Sequence, residues 1–62
     1  MKDPLLTIGE AAEYVRLPVN TMRSLRQGGR GPRAGKLGRR VYYRQSDLDA
    51  WVAAAFDQPV SA

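Results

Sequence analysis

The sequence predicts a mainly α fold with one small β-hairpin, in the order helix, turn, helix, two-stranded hairpin, helix. Three observations carry this reading. Apolar residues recur at helical spacing in separate stretches, Leu17-Pro18 and Gly28-Gly29 interrupt them, and a run of strand-forming residues follows a turn glycine at Gly38. The 62 residues are read as one domain, 1–62, with an ordered core over about residues 5–57. A chain this short buries only about 60% of its unfolded surface, which leaves no room for a catalytic cleft beside a second layer.

Thr7 followed by Glu10 reads as a capping box that opens the first helix. Ile8, Ala11, Ala12 and Val15 then form one apolar stripe, so this helix is expected from Ile8 to Arg16. Leu5 and Leu6 either pack beside the stripe or form a short strand. Leu17-Pro18 starts the second helix, because a proline in the first turn sacrifices no helical hydrogen bond. It is expected from Pro18 to Gln27, with Met22 and Leu25 inward and Gly28-Gly29 as its left-handed stop. Two short helices joined this tightly form a helix-turn-helix.

Gly31-Pro32 opens a loop, and the hairpin follows from Lys36 to Arg44. A two-residue turn at Gly38-Arg39 would set Leu37 opposite Arg40 and mix core and solvent faces. A three-residue loop sets Leu37 opposite Val41, lets Tyr43 share their face, and leaves both Arg39 and Arg40 at the tip. The second register is the expected one. The third helix is expected after Ser46 as N-cap, with Asp47 and Asp49 at the positive end of its dipole. Leu48, Trp51, Val52 and Ala55 form its apolar face, Trp51 being a core anchor rather than a stacking platform. Tyr14 and Phe56 suit either core or surface. Pro59 marks the stop, with frayed residues after it.

Charge gives this frame a direction. From Val15 through Ser46 there is no acid, while nine of the ten basic residues lie there, and eight of the ten are arginine. The bland alternative is a solvated basic surface, but arginine adds forked recognition of phosphate and guanine that solubility does not require. A polyanion is therefore the expected partner. The exposed side of the second helix carries Asn20, Thr21, Arg23, Ser24, Arg26 and Gln27, residue types that pair with guanine, adenine or phosphate in a major groove. Its alternative is an ordinary amphipathic helix. Lys36, Arg39 and Arg40 on the hairpin suit a minor groove, where negative potential is concentrated; protection of a sheet edge is the alternative. Arg16, Arg30, Arg33, Tyr42 and Arg44 are candidate phosphate contacts, Tyr42 being equally readable as a partly covered surface aromatic.

The chain contains no cysteine and no histidine. Catalytic residues, metal ligands and cofactors are accordingly assigned as none, and no small-molecule substrate is expected. No apolar run approaches the roughly 20 residues of a membrane span, and Met1-Lys2-Asp3-Pro4 lacks a signal-peptide core. No membrane association and a cytoplasmic location on DNA are expected.

Leu6-Thr7-Ile8-Gly9-Glu10-Ala11-Ala12-Glu13-Tyr14, Leu17-Pro18-Val19-Asn20-Thr21, Gly31-Pro32, Gly38-Arg39-Arg40-Val41 and Ser46-Asp47-Leu48-Asp49-Ala50-Trp51 resemble the excisionase-type, MerR-like winged helix-turn-helix domains. The resemblance covers about residues 5 to 53 and is most similar to phage excisionases, the recombination directionality factors. It implies a protein that binds double-stranded DNA at adjacent sites near an attachment site, bends it, and directs an integrase toward excision. The helix from Pro18 to Gln27 would enter the major groove and the loop from Gly38 to Arg40 the minor groove. Many relatives carry an aromatic or aliphatic residue where this chain has Ser24 or Arg23, so base-level readout does not transfer. The same domain occurs in small transcriptional regulators, which is the alternative function. A protein-interaction module with a basic face is a third.

Overall fold

The computed structural model describes residues 2–58, which form β1 (Leu5–Thr7), α1 (Ile8–Val15), α2 (Val19–Gln27), β2 (Gly35–Leu37), β3 (Arg40–Arg44) and α3 (Gln45–Phe56). Three helices and an antiparallel hairpin make the winged helix-turn-helix arrangement expected from the sequence. The expected stop at Pro59 and the residues after it lie outside the described residues.

The capping box is present. The Thr7 hydroxyl accepts from the Glu10 backbone N–H at 3.2 Å, and the Thr7 N–H donates to Glu10 Oε1 at 2.9 Å. The helix ends one residue earlier than expected. Arg16 takes a left-handed conformation (φ 63°), and the Leu17 N–H reaches back to the Ala12 carbonyl at 2.9 Å. This closes the connection to α2 in three residues. Pro18 is not the first helical residue but the extended N-cap, its carbonyl accepting from Met22 N–H at 3.1 Å.

Leu5–Thr7 is a strand, and its partner is the centre of the wing. The sheet order is β1-β3-β2, all antiparallel, so the expected two-stranded wing is part of a three-stranded sheet. The hairpin register also departs from expectation. Leu37 pairs with Arg40 and Lys36 with Val41 across a two-residue turn. Gly38 alone has positive φ (61°), the pattern of a type II′ turn, which suits the twist of paired strands. Turn chemistry therefore prevails over the apolar match of Leu37 with Val41. Leu37 is left 56% exposed, and Arg40 belongs to the strand rather than to the tip.

The start of α3 also departs from expectation. It starts at Gln45, and Ser46 is inside its first turn rather than its cap. Two of the N–H groups of that turn are satisfied from far away. Gln45 N–H donates to the Pro4 carbonyl at 3.0 Å, and Ser46 donates from N–H and Oγ to the two oxygens of Asp3 at 3.0 and 2.6 Å. The segment before β1 thus caps the last helix.

Ala11, Ala12, Met22, Tyr43 and Leu48 are fully buried, with Leu6, Ile8, Val15, Leu17, Val19 and Val41 packed around them. The two alanines allow α1 to approach α2 closely. Leu25 and Trp51 are half-buried, and the Trp51 indole donates to the Arg30 carbonyl at 3.1 Å, fastening the loop after α2 to α3. A Cβ on Gly31 would meet the Leu25 Cβ at 3.0 Å, so a side chain there would push the same loop away from α2 by a few tenths of an ångström. Ala55, expected on the apolar face, is exposed, as is Phe56 at 85%. The buried side of α3 thus ends at Val52.

Candidate nucleic-acid interface

Nine residues make α2 a rod about 13 Å long. One side is anchored by Met22, with Val19 and Leu25 at its margins, which turns Asn20, Thr21, Arg23, Ser24, Arg26 and Gln27 to solvent. Every residue expected on the reading side is therefore exposed.

Two open grooves separate this helix from the wing. The first, about 370 Å³, is lined by Thr7 and Ile8 from the start of α1, Arg23, Arg26 and Gln27 from α2, and Arg40 and Val41 from β3. The second, about 330 Å³, includes Arg26, Arg33, Lys36 and Val41 with the glycine-rich loop after α2. Arg26 lies on the ridge common to both. Neither lining contains an acid, and the one ion pair among the described residues is elsewhere, between Arg44 Nε and Asp47 Oδ2 at 2.9 Å. Arg23, Arg26, Arg40, Arg33 and Lys36 thus present positive charge without local compensation. Beneath them, burial pushes the Tyr43 phenol above the usual tyrosine range, while the Arg26 charge acts in the opposite sense.

Arg40 enters this groove by geometry the sequence did not reveal. Strand β1 ends at Thr7 opposite Tyr42, so Val41 and Arg40 extend beyond it, beside the start of α1 and α2. Thr7 and Ile8 join the groove for the same reason. The capping box marks their position in the sequence, but their proximity to Arg40 depends on β1 pairing with β3.

The remaining candidates are dispersed. Arg39 occupies the exposed hairpin turn, and Arg16 the exposed α1–α2 junction. Arg30 is exposed, with its carbonyl held by Trp51. Tyr42 and Arg44 line a third groove with Arg33, Leu5, Leu37 and Asp47, away from α2. Asn20, Thr21 and Ser24 line neither groove beside α2.

The sequence pattern of the helix-turn-helix domain matches residues 5–55, from the first residue of β1 to the penultimate residue of α3. The chain belongs to the helix-turn-helix domain family. No curated protein matches it. As a helix-turn-helix protein it binds double-stranded DNA, and such domains are typically non-enzymatic. Among the described residues, no helix is long and apolar enough to cross a membrane, and no group of three His, Cys, Asp or Glu could hold a metal ion.

Proposed function

We propose that this helix-turn-helix protein is an architectural DNA-binding factor that directs an integrase toward prophage excision. It binds adjacent sites near an attachment site, with α2 in the major groove and the wing against the neighbouring minor groove. The observation that carries the DNA-docking part is the acid-free groove in which Arg23 and Arg26 of α2 face Arg40 of the wing. A phosphate strand passing between helix and wing would relieve the repulsion of those charges. Asn20, Thr21, Arg23, Ser24 and Gln27 would read the major groove; Arg39 would enter the minor groove, where a bent duplex is narrowest. Lys36, Arg33, Arg30 and Arg16 would follow the backbone. Arg44 is the weakest contact, because Asp47 already holds it. The excision role rests on the resemblance to excisionases over about residues 5 to 53. Its partners on this reading are duplex DNA, an integrase and neighbouring copies of itself, and it acts in the bacterial cytoplasm.

Footprinting tests the reading together with an excision assay using the cognate integrase. Repeated footprints of about 8–12 base pairs beside an attachment site, with a gain in excision, are expected. No effect on recombination at saturating protein would overturn the excision role, and a single footprint over a promoter would point to a transcriptional regulator. Arg23→Ala and Arg40→Ala should each weaken binding and lower the salt slope by about 1, whereas Arg44→Ala should change little. Equal effects of all three would contradict the docking.

A further inference from the structure

We infer that the two grooves beside α2 hold successive phosphates of one DNA strand, and that the floor between them selects deoxyribose over ribose. The inference rests on the DNA-docking reading above and adds to it a readout of the sugar. The grooves share Arg26 from α2 and Val41 from β3. Arg23 and Arg40 line the first groove only, Arg33 and Lys36 the second only, and neither lining contains an acid. A strand with one phosphate between Arg23 and Arg40 and the next beside Arg33 and Lys36 lays the intervening sugar between Arg26 and Val41.

Topology makes that floor apolar. Strand β1 stops at Thr7, opposite Tyr42, so Val41 has no β1 partner and stays half-buried beside half-buried Ile8. Both pack against the core, which fixes them in place. The polar groups around them have stronger partners than a sugar hydroxyl. The arginines and Lys36 pair preferentially with charged phosphate oxygens. Thr7 Oγ already accepts from the Glu10 N–H at 3.2 Å, and its one remaining hydrogen also favours a phosphate oxygen over a neutral hydroxyl. Gln27, the other polar residue of the first groove, belongs to the exposed reading side of α2. Deoxyribose offers Val41 and Ile8 its C2′ methylene, an apolar contact that excludes water. Ribose offers a hydroxyl that loses water there and gains no partner. The 2′-hydroxyl is the group by which a protein tells RNA from DNA at a given position. Here the floor selects against it, whatever the base.

The test is binding to a DNA duplex spanning one footprinted site, with single ribonucleotides placed in turn along each strand. One position on one strand should weaken wild-type binding about fivefold or more, and the other positions less than about twofold. A 2′-fluoro nucleotide at the sensitive position shares the ribose pucker but donates no hydrogen bond, and should bind nearly as well as deoxyribose. Neutral methylphosphonates at the two phosphates flanking that sugar should each lower the salt slope by about 1. Val41→Thr supplies a hydroxyl in nearly the same volume and should cut the ribose penalty to less than about twofold. Ile8→Thr is the second variant, with circular dichroism verifying that each folds. A wild-type chain that binds the all-DNA duplex without any sensitive position would overturn the inference and leave the DNA-binding reading standing. So would a fluoro penalty equal to that of ribose, an unchanged salt slope with either methylphosphonate, or a full ribose penalty in both threonine variants. Failure to bind the all-DNA duplex would overturn the DNA-binding reading itself, and this inference with it.

Discussion

Tyr43 is 1% exposed, and its phenol oxygen has no hydrogen-bond partner. A buried hydroxyl left unpaired costs about 1–3 kcal/mol, while the ring supplies apolar contact to Met22 and Leu48 in the same core cluster. Tyr43→Phe keeps the ring and removes the orphan, so denaturant titration should show stability raised by up to about 1 kcal/mol. A loss instead would mean that the hydroxyl is satisfied in solution. Asp3 carries the opposite kind of polar group. The Ser46 hydroxyl, and next the Ser46 backbone N–H, hold its carboxyl below the usual range, with desolvation opposing them and the Arg44 charge assisting. A depressed folded value contributes stability above the unfolded value of about 3.9, and the contribution is lost as pH falls through the folded value. Asp3→Asn should therefore flatten the acid limb of a melting-temperature profile below about pH 4. An unchanged acid limb would remove Asp3 as its source. The Asp3 effect is not visible residue by residue, because Asp3 and Ser46 are 43 positions apart.

At the scale of elements, the three helices and the hairpin were legible from spacing, caps and glycines. The failures have local causes. Ser46 is a good capping residue, yet the first turn of α3 is already capped by Asp3 and Pro4. The hairpin offered two competing signals, an apolar match between Leu37 and Val41 and a turn glycine at Gly38. The apolar match could yield because Lys36 can lie opposite Val41 with its charged end in solvent, whereas Gly38 already favours the tight turn. This register predicts that Leu37→Lys changes stability by less than about 0.5 kcal/mol in a thermal melt. A loss several times larger would mean that the Leu37 side chain packs on Val41, as the alternative register would have it. One shift of register also moved Arg40 from the tip into the groove beside α2. The exposed reading side of α2, by contrast, follows from its own helical period.

For the molecule as a whole, stability and binding surface depend on the same few contacts. A chain of 62 residues has roughly 3–9 kcal/mol of stability available. Leu48 is completely buried among five such residues, and Leu48→Ala should cost about 2–5 kcal/mol. The variant should melt well below the wild type and lose DNA affinity as it does so, although Leu48 lines none of the grooves described. Wild-type affinity in that variant, alongside a normal melt, would contradict the packing. Short-range order is strong throughout: helical period, capping box, proline and glycine breaks, and the segregation of positive charge all act within a few residues and are written directly in the chain. They determine three helices, a wing and a basic segment that contains α2. Long-range pairing is different. The alignment of β1 with β3, the capping of α3 by Asp3, and the meeting of Arg40 with Arg23 and Arg26 each join residues distant in sequence. Such contacts depend on which arrangement buries Tyr43, Met22 and Leu48 together while leaving the backbone hydrogen-bonded, a condition that no local pattern contains.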